Sequence, residues 1–283
     1  MENVAFIINP FAAKKDYESF LKPLRESVEN PNFYISDSLE GTENFIKENF
    51  EKTEIFIAVG GDGTISSVAK KLIHTDKILG IFPAGSGNGF SRETQFSKNL
   101  EELLEKIKAK KFREIDTFKV NEHFSINVSG TGFDGEVAKN FEKTSRGFAN
   151  YIKVSLQTFL NYKPIEIKFP SEEFKKHDGK YLMVNVANTR QFGNNAFIAP
   201  NASTIDGLAE IVLVKKFPMY YGAIFAYKMF AKKLEENKYI TYLSVPEIDF
   251  EVSTENWHLD GEYKKIPSPI HMEILPKSLR ILI

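Results

Sequence analysis

In the first third of the chain, short uninterrupted apolar runs alternate with stretches whose apolar residues recur at helical spacing. Val4–Ile8 is such a run, closed by Asn9-Pro10, where proline ends a hydrogen-bonding ladder. Tyr17–Val28 follows as a helix, Phe33–Ser36 as a strand and Thr42–Asn49 as a helix, with Thr42 placed to cap it and Glu43 in its first turn. Glu54–Val59 reads as a strand buried on both faces, because no polar alternation marks a solvent side. Helix Ile65–Ile73, strand Ile78–Phe82 and helix Leu100–Lys108 complete the series. Strand–helix alternation at this spacing predicts a doubly wound, mostly parallel sheet with helices on both faces.

Past Arg113 the pattern changes. Strand-like segments dominate, at Glu114–Val120, Phe124–Gly130, Ile165–Phe169, Tyr181–Ala187, Gly207–Val214, Glu247–Ser253 and Met272–Leu275. Two helical stretches interrupt them, near Phe148–Leu160 and Met219–Glu236. This predicts an α/β domain over 1–116 and a second domain over 117–283 with a β-sandwich-like core.

Composition narrows the function. A net charge of -1 gives no global basic field for nucleic acid. Without cysteine there is no disulfide, no thiolate catalysis and no Cys-ligated metal, and the five histidines are too scattered to form a metal cluster. The start, MENVAFIINP, lacks the basic and long apolar parts of a signal peptide. The most apolar stretch, Phe217–Leu234, is broken by Lys228, Lys232 and Lys233, short of what a membrane span needs. The expectation is a cytoplasmic protein whose contact with a membrane is peripheral.

The candidate chemistry lies at strand ends. Gly60-Gly61-Asp62-Gly63-Thr64 follows a buried strand and precedes a helix. Glycines let the backbone turn and approach a ligand, and a helix N-terminus offers N–H groups to phosphate. Asp62 would repel phosphate, so its better use is to engage a metal, a metal-bound water or a ligand hydroxyl. A second loop, Pro83-Ala84-Gly85-Ser86-Gly87-Asn88-Gly89-Phe90, also follows a strand and makes a polar concavity of backbone donors. Ligands of open parallel sheets bind beyond the carboxyl ends of the strands, so both loops can face one nucleotide. On the residues alone, Asp260-Gly261 reads first as a hairpin turn, and Asp134-Gly135 and Asp206-Gly207 carry the same reading.

Asn9-Pro10, GGDGT at 60–64 and PAGSGNGFSR at 83–92 together resemble the diacylglycerol kinase catalytic family, which includes bacterial lipid kinases, sphingosine kinases and ceramide kinases. The resemblance continues at Gly132-Phe133-Asp134-Gly135, Asp206-Gly207-Leu208 and Asp260-Gly261-Glu262, so it spans nearly the whole chain. GGDGT alone also occurs in NAD kinases and is similar to a phosphofructokinase loop. The resemblance implies an NAD kinase/diacylglycerol kinase-like fold, ATP and Mg²⁺ as cofactors, a lipid substrate and an active site in the cleft between the domains. It implies that Asn9, Pro10, Lys14, Thr42, Gly60, Gly61, Asp62, Gly63, Thr64, Ser86, Gly87 and Asn88 hold ATP, with Arg92 adding positive charge. Asp62 and Asp134 would organise Mg²⁺, and Asp260-Gly261-Glu262 would supply the base, either Glu262 or Asp260. A structural Mg²⁺ site would use Ser203, Asp206 and the carbonyl of Leu208. One departure stands after the strand Tyr181–Ala187, where relatives often show Gly-Gly and this chain has Gly193-Asn194-Asn195.

The expected activity is therefore phosphorylation of diacylglycerol or a related lipid alcohol in phospholipid biosynthesis. An NAD kinase and a silent lipid- or nucleotide-binding regulator are the alternatives. Phe217–Leu234 reads as a helix packed on the second domain, with an interfacial helix as the competing reading. No nucleic acid partner is expected, and a homodimer is compatible with the chain.

Overall fold

A computed structural model of the chain describes residues 3–11, 17–85, 87–144 and 147–283, without the side chain of Phe148. The fold divides into two compact units, residues 1–116 with 277–283, and residues 117–276.

The first unit begins with strand β1 (Val4–Ile8), helix α1 (Glu18–Ser27), strand β2 (Asn32–Ile35) and helix α2 (Leu39–Asn49). It continues with β3 (Ile55–Gly60), α3 (Asp62–Leu72), β4 (Ile78–Pro83), and the helices α4 (Gly89–Glu93) and α5 (Leu100–Ala109). The strands run parallel, as the alternating pattern predicts, and lie in the order β2-β1-β3-β4. β1 and β3 are buried at every residue, which is why both are continuously apolar. The helices bury one stripe each, such as Ile65, Val68, Ala69 and Leu72 of α3. α5 starts where Asn99 Oδ1 accepts hydrogen bonds from the amides of Glu101 and Glu102. One cap differs from expectation. Ser38, not Thr42, caps α2 by accepting from Gly41 N, and Thr42 lies buried one turn inside the helix. Both residues have hydroxyls, and the earlier one takes the cap because Ser38 is extended while Leu39 already turns helical.

Strand β5 (Phe112–Val120) carries the chain into the second unit. There follow β6 (His123–Ser125), β7 (Val128–Gly132), α6 (Phe133–Phe141), α7 (Phe148–Asn161), β8 (Ile165–Lys168), β9 (Gly179–Tyr181) and β10 (Met183–Ala187). Then come β11 (Ala209–Val214), α8 (Met219–Phe230), β12 (Ile240–Val245), β13 (Glu247–Val252), β14 (Asn256–Leu259), β15 (Glu262–Lys265) and β16 (Ile270–Leu282). The end of β16 returns to the first unit, where Arg280 and Ile281 pair in parallel with Ile78 and Leu79 of β4.

An antiparallel sheet in the order β12-β11-β10-β7-β14-β15 forms half of the sandwich. Its inner face presents Val184, Val186, Ile211, Leu213, Trp257 and Leu259. These pack with Ile165, Ile167, Ile248, Phe250 and Met272 from the facing strands β8, β13 and β16. The outer face is covered by a second, aromatic cluster that includes Phe133, Phe159, Phe217, Tyr221 and Phe225. The single expected strand over Phe124–Gly130 is two, β6 and β7, because the chain turns at Ile126-Asn127. Asp134 does not sit in a loop turn: it lies in the first turn of helix α6.

Candidate active site

The strand order 2-1-3-4 puts the switch in chain direction at β1, with β2 on one side and β3 on the other. The carboxyl ends of these strands carry the residues singled out by sequence, and in this spatial order. At β2, Ser36 Oγ lies 2.8 Å from Thr42 Oγ1. At β1, Asn9 N donates to Val59 O at 2.9 Å, and Asn9 Nδ2 donates to Thr64 Oγ1 at 2.8 Å. Asn9 thus ties the end of β1 to the loop after β3, with Pro10 next in the chain. This is the edge at which an open α/β sheet takes a ligand.

The two glycine loops close on each other. Ala84 N donates to Gly60 O at 2.8 Å, and the backbones of Gly61 and Gly85 approach so nearly that a Cβ on Gly85 would stand 2.5 Å from Gly61 Cα. Gly60 is bare because the Thr64 hydroxyl occupies the space of its absent side chain. Helix α3 begins one residue after Gly61, so Asp62, Gly63 and Thr64 form its first turn, whose N–H groups have no partner within the helix. Asp62 Oδ1 accepts from Phe90 N at 3.3 Å, and a Cβ on Gly87 would come within 2.9 Å of Asp62 Oδ2. Asn88 holds the turn in the left-handed conformation at φ 50°, donates Nδ2 to Gly85 O at 2.8 Å, and keeps a buried Oδ1 that has no hydrogen-bond partner among the described residues. Arg92 stands exposed in the last turn of α4. Lys14 and Ser86 lie outside the described residues.

In the second unit, the outer face of the six-stranded sheet carries a polar row that the sequence motifs miss. Register places Asn185 of β10 and His258 of β14 on either side of Gly130 of β7. A Cβ on Gly130 would collide with Asn185 Nδ2 and stand 3.1 Å from His258 Nε2. Asn185 donates Nδ2 to Asp134 Oδ2 at 2.6 Å, while its own Oδ1 is buried with no partner among the described residues. Burial pushes the Asp134 carboxyl up to about 6, against the opposing pull of the Asn185 hydrogen bond. Burial likewise holds the His258 imidazole down at about 4, with the Asp260 charge pulling the other way, so it is neutral at pH 7. Its Nδ1 accepts from Gly261 N at 3.3 Å, which leaves the proton on Nε2. One signal for this row was available: Asn185 is the only polar side chain within the run YLMVNVA, if Tyr181 is counted with the apolar residues.

Asp260-Gly261 is the tight turn between β14 and β15, with both residues at positive φ, 53° and 92°. It is also an anchor. Buried Asp260 Oδ1 accepts from Ser125 Oγ at 2.6 Å, Asn127 N at 2.9 Å and Ile126 N at 3.2 Å, fixing the hairpin to the β6–β7 turn. Glu262, the first residue of β15, is exposed. The third expected site is a short turn before β11. Asp206 Oδ1 accepts from Leu208 N at 3.1 Å and Ser203 Oγ from Ile205 N at 3.4 Å. Among the described residues no group of three or more His, Asp or Glu could hold a metal ion.

Residues 3–120 match the model of the diacylglycerol kinase catalytic domain, and residues 127–283, more than half of the chain, match that of the YegS C-terminal NAD kinase beta sandwich-like domain. The chain belongs to the family of the YegS C-terminal NAD kinase beta sandwich-like domain. This is a family of lipid kinases, as the motifs at strand ends lead one to expect. Curated relatives include proteins named probable lipid kinase YegS-like from Yersinia pestis (strain Pestoides F) and Yersinia pseudotuberculosis serotype O:1b (strain IP 31758). Each is 28% identical over 236 residues, covering 79% of this chain and 77% of the relative. The fold is shared with the crystal structure of a diacylglycerol kinase from Bacillus anthracis str. Sterne, at a TM-score of 0.75 and 21% identity over 99% of this chain and 96% of that one.

Proposed function

We propose that the chain is an ATP- and Mg²⁺-dependent kinase that phosphorylates the hydroxyl of diacylglycerol or a closely related lipid alcohol, working at the cytoplasmic face of a membrane. The observation that carries the nucleotide half is the mutual closure of the two glycine loops at the switch point of the sheet. Asn9, Pro10, Lys14, Thr42, Gly60–Thr64 and Ser86–Asn88 hold the nucleotide in this reading. Backbone donors at the start of α3 fit the phosphates of such a ligand.

When bound, Mg²⁺ offsets the charge of the phosphates. Asp62 and Asp134 would each lend carboxylate oxygens, the donors a hard cation takes. Ser203, Asp206 and the Leu208 carbonyl would hold a second, structural Mg²⁺. Glu262 is assigned as the base, because it is exposed at the start of β15, whereas Asp260 is buried and spends its Oδ1 on three protein donors. Asp260 then positions the hairpin. Glu262 takes the proton of the lipid hydroxyl as its oxygen bonds to phosphorus and the bond to the departing ADP breaks. The lipid half of the proposal is supported by family membership.

The test is transfer of label from ATP, with Mg²⁺, to detergent-dispersed diacylglycerol, sphingosine, ceramide or NAD. Label in diacylglycerol is expected, with Glu262→Gln lowering turnover by at least about 10²-fold. Label in NADP alone, or an unimpaired Glu262→Gln enzyme, overturns the reading.

A further inference from the structure

The six-stranded sheet has two unlike edges. At one, β15 reads Glu262-Tyr263-Lys264-Lys265, whose exposed charges discourage another strand from pairing. At the other, β12 reads Ile240-Thr241-Tyr242-Leu243-Ser244-Val245, with no charge and no proline. Its register with β11 is unbroken over six residues, so no bulge turns the edge away. Nothing in β12 itself blunts this edge.

The ladder decides which backbone groups of β12 point outward. One residue beyond the paired stretch, Tyr239 stands opposite Lys215, and Lys215 N donates to Tyr239 O at 2.8 Å. In an antiparallel pair, hydrogen-bonded residues alternate with residues whose N–H and C=O face the other way. Thr241, Leu243 and Val245 therefore spend both groups on β11, while Ile240, Tyr242 and Ser244 turn theirs away from it. Ile240 uses its pair on Asn237, accepting at 3.0 Å and donating at 3.1 Å. Tyr242 and Ser244 have no backbone partner on the outward side among the described residues. Two donors and two acceptors are left for an incoming strand.

A second copy of β12 meets this demand in one register. With Tyr242 opposite the partner's Ser244, a twofold axis passes through Leu243 and all four outward groups of each edge are bonded. If Tyr242 faces its own copy instead, Ser244 meets the partner's Ile240, whose groups are already used. The favoured register also keeps each side chain on its own face of the sheet. Leu243 meets its copy over the inner face, where it already packs against the core. No charge lies within the paired stretch. The next charges along the chain are Lys238 before β12 and Glu247 after it, and antiparallel pairing puts these opposite charges at the same end of the seam. Glu235 and Glu236 precede the turn at Asn237, and Glu210 of β11 is held by Ser244 Oγ.

We infer that this protein forms a twofold dimer through β12, joining two six-stranded sheets into one of twelve strands with its axis at Leu243. The axis stands perpendicular to the sheet, so the outer faces of both copies, each with its Asp134, Asn185 and His258, look to the same side. Two sites then meet one surface together. The inference does not depend on which substrate they act on.

The test is sedimentation velocity on the full chain over a range of concentrations. Edge pairing makes a small interface, so the dimer is expected to be weak and to fill as concentration rises. Leu243→Lys and Leu243→Glu each set like charges against each other at the axis and should raise the dissociation constant by at least about tenfold. Mixed in equal amounts, these two variants bring opposite charges together, and the dimer should return. Ser244→Pro removes one outward N–H and no bond to β11. It should weaken the dimer by a similar factor with an unchanged urea midpoint. A wild type that stays monomeric at every concentration overturns the inference. So does a dimer indifferent to Ser244→Pro, even where the Leu243 variants fail to fold. A mixture that stays monomeric, when each folded variant is monomeric alone, removes Leu243 from the axis and overturns the register.

Discussion

The two units build their candidate sites from different materials. In the first, the site is backbone: glycines bring two loops into contact, and the start of α3 turns its amides outward. In the second, it is side chain: Asp134, Asn185 and His258 meet across β7, β10, β14 and the start of α6, with the Asp260 hairpin beside them. Glycine appears in both, for unlike reasons. Gly61 and Gly85 are bare so that main chains can approach; Gly130 is bare so that neighbouring side chains can lie over it. A site made of backbone constrains sequence locally and shows as a motif. A site made across strands constrains residues far apart in the chain, and they become neighbours only when register is set.

The sharpest way to break this comparison is a single methyl group in each unit. Gly85→Ala puts a Cβ 2.5 Å from Gly61 Cα and 2.8 Å from Asn88 Oδ1, and neither loop backbone can yield without opening the pair. Binding of a fluorescent ATP analogue is expected to weaken by about 10²-fold, about 2.7 kcal/mol, with the far-ultraviolet spectrum unchanged. Retained affinity would mean that loop closure does not shape the nucleotide site.

Gly130→Ala is the counterpart. Its Cβ meets Asn185 Nδ2, and Val184 O stands 3.1 Å away, so the row must shift. Overpacking of this kind costs about 1–3 kcal/mol, to be read as a lower midpoint in urea unfolding. Nucleotide affinity in the same variant should match wild type. If Gly130→Ala instead leaves stability intact and abolishes nucleotide binding, the division between the two kinds of site is wrong.

Legibility in the sequence follows the same division. The parallel sheet and the β-rich second half are readable because continuous apolar runs, helical stripes and turn residues are local signals, whereas the strand order is not. The glycine loops were readable for the same reason. Thr42 looks like a cap in the sequence, but Ser38 stands four residues earlier with the same chemistry, and only the extended backbone there decides between them. Asp134-Gly135 resembled a turn dipeptide and proved to be a helix start, which Gly132 at φ 86° sets up two residues before. Asp260-Gly261 kept its turn reading, but nothing in the dipeptide says that its carboxylate reaches 133–135 residues back to Ser125, Ile126 and Asn127. His258 carried no signal at all: its partners are fixed by pairing with β7.

The subtlest consequence of the side-chain site is its response to pH. Asp134 is buried, and its carboxyl titrates near 6, above the ordinary carboxylate range near 3.9. A folded-state value raised in this way makes ionisation costly to the fold. The contribution of the group to stability is complete below about pH 4 and is lost as pH rises through 6. Asp134→Asn keeps an oxygen to accept from Asn185 and removes the charge, so the loss should vanish. In EDTA and without nucleotide, the variant is expected to be more stable than wild type at pH 8, by on the order of 2 kcal/mol, and equal to it at pH 4. His258 acts in the opposite sense, since its depressed value makes protonation costly as pH falls from about 6.5 towards 4. Both proteins contain His258, so the difference between their thermal unfolding curves isolates Asp134. Parallel curves at every pH would show that Asp134 is not held in a low-dielectric setting, and the contrast between a backbone site and a buried side-chain site would lose its clearest physical signature.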